Sequence, residues 1–178
     1  MDVHAFSEGL ESEIDIEARS DVYLEQFHQV DPVRAYLFVI EKVMGGIAGD
    51  GLYYVFESRW GQILPEVIEG LYKLGMPRTA EVLTQAGHRL GNPFPRGSYL
   101  REMRLSAAVS KIPNDEIKSR YEMSDDEMDA DPDYVEVLKG IELFDDLDDS
   151  YFKLVKTENG GFEAAAVEFI KKSSAPII

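Results

Sequence analysis

Three residues, Gly75-Met76-Pro77, separate two stretches of helical periodicity, and no other feature of the chain restricts its fold as much. In the first stretch Pro65 opens a run in which Val67, Ile68, Leu71 and Leu74 line one side before Gly75. In the second, Pro77 precedes Ala80, Leu83, Ala86 and Leu90, and Gly91 follows. Apolar residues spaced by three and four mark one face of a helix. Proline suits the first turn, and glycine just past the last turn ends it. A connection this short forces close packing of the two helices. The expectation is an all-α fold: a compact multi-helix single domain with a central helical hairpin at 64–90 and Ile68, Leu71 and Leu83 buried.

The other segments read as helices too. Asp31-Pro32 combines a capping side chain with a proline at the first helical position. Val33, Tyr36, Leu37, Ile40, Val43 and Met44 follow at helical spacing until Gly45-Gly46, which are expected to end the helix. Before it, Phe6, Leu10, Ile14, Ile16, Tyr23, Leu24 and Phe27 suggest one or two amphipathic helices with an acidic outer face. Gly49-Asp50-Gly51 reads as a turn and 52–56 as a short helix. Residues 92–97 form a proline-stiffened loop, and 98–111 a helix bearing the basic Arg101, Arg104 and Lys111. Ser124 to Asp133 is read as an acidic connector, 134–147 as a helix, and Asp148-Asp149 as the cap of the segment holding Tyr151, Phe152 and Leu154. Asn159-Gly160-Gly161 makes a turn before a last helix through Phe162, Ala165, Ala166, Phe169 and Ile170. Lys171 and Lys172 complement its C-terminal dipole.

The charge is unevenly distributed. Residues 1–31, the acidic N-terminal helical segment, hold nine acids and one base. Residues 32–112, the core, hold seven acids and ten bases; 113–149 hold fifteen acids and three bases; and the C-terminal segment, 150–178, holds three acids and four bases. The net charge of −16 therefore sits in two blocks around a near-neutral middle. Hydrophobic residues at 44% argue against wholesale disorder despite that charge. Direct binding to nucleic acid or to an anionic membrane is disfavoured, since phosphate needs a cationic face, and a basic partner is favoured. Solubility alone is the other reading of the same acidity.

Catalytic signatures are missing. The chain has no cysteine, which excludes disulfides, zinc–thiolate sites and cysteine nucleophiles. His4, His28 and His88 stand in no metal-binding spacing, and the glycines at 45, 46, 49 and 51 match neither a dinucleotide nor a P-loop pattern. The run Asp125, Asp126, Glu127, Asp129, Asp131, Asp133 lacks the glycine and closing glutamate of a calcium loop, and Pro132 interrupts it. No cofactor, no metal and no enzyme activity are expected. The N-terminus carries no signal-peptide pattern and no apolar run approaches a membrane span, so a cytoplasmic location is expected.

The segment Gly49-Asp50-Gly51-Leu52-Tyr53-Tyr54-Val55-Phe56-Glu57-Ser58-Arg59-Trp60-Gly61, the helix 64–75 ending in Leu74-Gly75, the stretch 80–86 and the late Leu147-Asp148-Asp149-Ser150-Tyr151-Phe152 together resemble the bacterial DNA-mimic protein family. The resemblance covers roughly residues 33–172. It departs at Gly49-Asp50, where the family has Asn-Gly, and at Glu57, where it has Asn. It implies a homodimer; Tyr53, Tyr54 and Trp60 are candidates for positions at or near its interface, with a place in the core as the other reading. It also implies a partner that is a helix-turn-helix DNA-binding protein, blocked from DNA by imitation, and hence a role in transcription regulation.

Duplex DNA presents one charge per ~3.4 Å along each strand. Carboxylates spaced by three or four on a helix lie about 5–6 Å apart. The expected partner-binding face is Glu11, Asp15, Asp21 and Glu25 in the first block, with Asp125, Asp126, Asp145, Asp146, Asp148 and Asp149 in the second. The alternative is a small-ligand protein or enzyme with a pocket at Tyr53, Tyr54, Trp60 and Arg59.

Overall fold

The structure is a computed structural model that describes residues 2–174 and, at Pro132, the backbone; the last four residues of the C-terminal segment lie outside it. Among the described residues there are eleven α-helices and no strand. The first two are α1 (Val3–Ser7) and α2 (Ser20–Gln29), followed by the long α3 (Pro32–Glu57). The hairpin is α4 (Leu64–Lys73) and α5 (Pro77–Leu90). Beyond it come α6 (Ser98–Val109), α7 (Asn114–Tyr121), α8 (Asp125–Ala130) and α9 (Pro132–Glu142), and the chain finishes with α10 (Asp145–Thr157) and α11 (Phe162–Ser173).

The hairpin sits where the sequence puts it. Its turn closes with two backbone bonds, Met76 N–H to Leu71 O at 2.9 Å and Gly75 N–H to Tyr72 O at 3.0 Å, with Gly75 at φ +74°. A distant segment clamps this turn. Glu158 accepts from Arg78 N–H (2.8 Å), Thr79 N–H (2.7 Å) and the Thr79 hydroxyl (2.6 Å), which caps α5. Asn159 donates to Leu74 O at 3.3 Å and so caps the end of α4. Burial alone would raise the Glu158 carboxyl, but these bonds hold it below the usual glutamate range. Leu71 and Leu83 are fully buried. Ile68, expected to join them, is half-buried beside Pro93 and Phe94.

Helix α3 packs against α4, α1, α2, α6 and α11. Contrary to expectation, Gly45 and Gly46 do not end it. Val43 and Ile47 continue the buried stripe past the glycines, and Gly46 lies so close to Val55 and Trp60 that a Cβ there would stand 2.9 Å from Val55. The break falls at Gly51, with φ 78° and ψ 176°, a conformation that side chains resist. The helix restarts at Leu52, whose N–H is held at 3.0 Å by the Asp148 carboxylate from α10.

Three further expectations are corrected. Glu11 lies on a 3₁₀ turn (Leu10–Ser12) and Asp15 in the loop that follows, so only Asp21 and Glu25 keep helical spacing, on α2. The acidic connector contains α8, nucleated by a reciprocal capping box between Ser124 and Glu127. Asp148 and Asp149 do not cap α10. That helix begins at Asp145, with Phe144 at the cap position and Leu143 ahead of it, because α9 already ends at Glu142.

One cluster of buried apolar side chains runs from Val3 to Ile170. Val109, Ile117, Val135 and Leu138 are buried outside it, where α7, α8 and α9 pack among themselves and α9 leans on α6. The α7–α9 part of the acidic segment is therefore displayed on a peripheral layer, while Phe144 and Leu147 at its end join the main core.

Candidate partner-binding surface

In the second acidic block, carboxylates gather at helix starts. Asp115 and Glu116 lie in the first turn of α7; Asp125, Asp126 and Glu127 in that of α8; Asp133 in that of α9; and Asp145, Asp146 and Asp148 in that of α10. Unpaired N–H groups and the positive end of the helix dipole favour anions there. The fold thus tolerates a dense run of like charge, because each cluster is matched to a helix terminus.

Not every candidate acid is available to a partner. Glu11 pairs with Lys42 at 3.0 Å, Asp21 with Arg19 at 2.6 Å, and Asp125 with Lys118. Asp146 takes both arms of Arg89, at 2.8 and 2.6 Å, which hold its carboxyl below the usual aspartate range. Asp145 shares Arg120 (3.5 Å) with the buried Glu142 (2.6 Å). Asp15 is exposed and accepts from Glu17 N–H at 2.9 Å, and Glu25 accepts weakly from Gln29 at 3.4 Å. Asp126 and Asp149 are exposed and stand in no ion pair among the described residues.

The largest stretch of uncompensated charge is one the candidate set only brushed. From Glu122 to Asp133 there are seven acids and no base, all exposed, on α8, the turns that flank it and the first turn of α9. Asp125 and Asp129 are spaced by four, Asp126 and Asp129 by three, at about 5–6 Å. Only Lys118 answers this run with an ion pair among the described residues.

Asp148 faces inward. Its half-buried carboxylate caps Leu52 and sits 3.1 Å from where a Cβ on Gly51 would be. Burial pushes its pKa up to about 6, helped by the nearby charges of Asp145, Asp149 and Asp146 and opposed by the bond from Leu52. A carboxyl that holds its proton more tightly when folded loses stability as pH rises from about 4 to about 6, and the loss is complete above that window. Asparagine keeps the acceptor and removes the charge. Asp148→Asn should therefore stabilise the fold by about 1–2 kcal/mol at pH 7.5. In denaturant titrations across pH the gain should vanish below pH ~4; an equal gain at every pH would refute the assignment.

The three aromatic residues have different surroundings. The Tyr53 ring packs on Gly140 of α9, 2.7 Å from where a Cβ would stand, and edge-on to Tyr54 at 5.5 Å. Trp60 instead lies over Gly46 and donates to Glu17 at 3.3 Å. Arg59 is exposed at the rim of a polar cleft with Asp15, Glu17 and Arg96. No group of three or more His, Cys, Asp or Glu among the described residues is arranged to hold a metal, and no described helix is long and apolar enough to cross a membrane.

Compared with known protein families, residues 28–173 match the family of DMP19-like proteins. The chain belongs to that family. DMP19 denotes a DNA mimic protein, which agrees with the likeness seen in the sequence. No curated protein and no solved structure gives a match. The DMP19-like region begins near the end of α2 and closes with α11. It encloses Asp125, Asp126, Asp145, Asp146, Asp148 and Asp149 and leaves Glu11, Asp15, Asp21 and Glu25 outside. Of the two acidic blocks, only the second lies wholly within the matched region.

Proposed function

We propose that this protein is an acidic DNA mimic that occupies the basic DNA-binding surface of a helix-turn-helix type protein and so blocks its access to DNA. The observation that carries the reading is the exposed run of seven acids at 122–133, inside the DMP19-like region, answered by one ion-paired lysine. Asp149, exposed and in no ion pair among the described residues, extends it; Asp148 serves the fold. A homodimer doubles the array. Exposed Tyr99 and Met103 on α6 and Tyr134 and Val137 on α9, two helices in contact, offer an apolar face for that assembly.

Exposed charges are screened beyond about 8 Å at physiological ionic strength, so association with a basic partner should slow steeply as salt rises. Replacing Asp125, Asp126, Asp129 and Asp133 with asparagine should weaken binding by about tenfold or more. A control set of equally exposed acids elsewhere, Asp50, Glu57, Glu81 and Glu102, should change it by less than about twofold. The measurement is kinetic binding to a DNA-binding protein captured at low salt, with its operator duplex as competitor. Equal effects from the two sets, or a stable ternary complex with DNA, would overturn the proposal.

A further inference from the structure

An open groove of about 970 Å³ lies between α1, α3 and α11, and no residue lining it belongs to α6–α9. Its floor is apolar: Val3, Phe38, Met44, Ala48, Phe162 and Val167. Its lining also holds six carboxylates, those of Asp2, Glu8, Glu11, Glu41, Glu163 and Glu168, against the single lysine Lys42. That lysine is already engaged by Glu11 at 3.0 Å and lies over the Phe38 ring at 5.3 Å. The groove continues into a second one of about 610 Å³, which shares Met44, Ala48, Phe162 and Glu163 with it and adds the apolar Tyr151, Phe152 and Val155 and one cation, Lys156. Gly45 and Ala48 are exposed along the channel, and a Cβ on Gly45 would meet nothing within 4 Å.

We propose that this groove docks an amphipathic helix of another protein, with the helix's apolar stripe on the floor and its lysines and arginines against the acidic rim. Charge complementarity selects a cationic occupant, and the apolar floor asks for one with a hydrophobic face. A helix is favoured over an extended segment because the walls are themselves helices, whose backbone groups are already paired. An extended chain laid on them would leave its own N–H and C=O groups without partners, whereas a helix satisfies them internally. Helix-in-groove recognition of this kind uses anchors spaced by three, four and seven residues. The site stands apart from the acidic array on α8 and does not depend on the mimic reading.

The test uses the whole protein and a fluorescein-labelled synthetic helix of about 18 residues, with leucine at three- and four-residue spacing and lysine along both flanks. Its scrambled counterpart, of equal composition, is the control. Anisotropy should show micromolar binding of the amphipathic peptide and at least about tenfold weaker binding of the scramble. Gly45→Phe places a ring in the groove from a position with free space, so it should cut affinity about tenfold or more while the circular dichroism spectrum and melting temperature hold. Ala48→Phe is a second blocking variant should the first fail to fold. Glu8→Gln with Glu163→Gln should weaken binding and flatten its salt dependence, and the four asparagines on the α8 array should leave it unchanged. Three results would overturn the proposal: equal binding of the scramble, wild-type affinity in both folded blocking variants, or no binding up to ~100 μM.

Discussion

Replacing Arg101 with methionine should destabilise the protein by about 3–5 kcal/mol, among the largest losses any single substitution here can cause. Arg101 is wholly buried, and no carboxylate among the described residues pairs with it. It donates to four backbone carbonyls instead: Phe56 O at 2.9 Å, Ser58 O at 2.6 Å, Arg96 O, and Pro95 O at 3.5 Å. Phe56 and Ser58 stand at the C-terminal end of α3, where unpaired carbonyls and the negative end of the helix dipole favour a cation. Burial lowers its pKa to about 10, still well above neutral pH, so it stays charged. Gly61 makes room for it; a Cβ there would stand 2.7 Å from the guanidinium Nε. One side chain thus ties the end of α3 to the 95–96 loop and to α6. Methionine fills similar space but strands the carbonyls. Urea unfolding of Arg101→Met decides the matter, and a loss under about 1 kcal/mol would show that the buried contacts are not what holds this junction.

On sequence grounds Arg101 is one of three basic residues, with Arg104 and Lys111, on the helix expected at 98–111. A signal was present, because Arg101 shares a four-residue spacing with Leu105 and Val109, both buried. What the sequence cannot display is the set of carbonyls that makes such burial tolerable, since none of the four lies on α6 and two of them, those of Phe56 and Ser58, are 45 and 43 positions away. Asp148 was misjudged for the same reason. Its charge was plain, but the N–H it caps belongs to Leu52, 96 positions away. Glu158 and Asn159, which clamp the hairpin turn, likewise carry no local mark of that role.

Local chemistry was more readable. The Asp31-Pro32 start is found as expected, with Asp31 accepting from Arg34 N–H at 3.0 Å. The same grammar recurs at Asp131-Pro132, where Asp131 accepts from Tyr134 N–H at 3.1 Å, and at Ser124 with Glu127, both within an acidic stretch whose composition reads as a connector. Gly45 and Gly46 do not stop α3, because each interior glycine costs a helix only about 1 kcal/mol and tertiary packing outweighs that. For the partner surface, the two acidic blocks were evident from composition. Which charges remain uncompensated was not, because the pairs Glu11–Lys42, Arg89–Asp146 and Arg120–Asp145 join residues distant in sequence.

Leu71→Ala should cost about 2–5 kcal/mol, toward the upper end of that range. Leu71 is wholly buried on α4, which packs against α5 on one side and α3 on the other. The site cannot easily collapse around the void. The neighbouring Gly70 already brings α4 so close to α3 that a Cβ there would stand 2.9 Å from Ile40 and 3.0 Å from Tyr36. The turn just beyond is fixed by Glu158 and Asn159, so α4 has little freedom to slide inward. A cavity that cannot relax forfeits its dispersion contacts as well as the transfer energy of the deleted methyl groups. Ile68→Ala, a similar deletion from a half-buried position at the edge, should cost clearly less. The two variants compared by thermal and urea unfolding separate a hairpin that organises the core from one that merely borders it. An unchanged melting temperature for Leu71→Ala, or equal losses for the pair, would remove the hairpin from the centre of the fold.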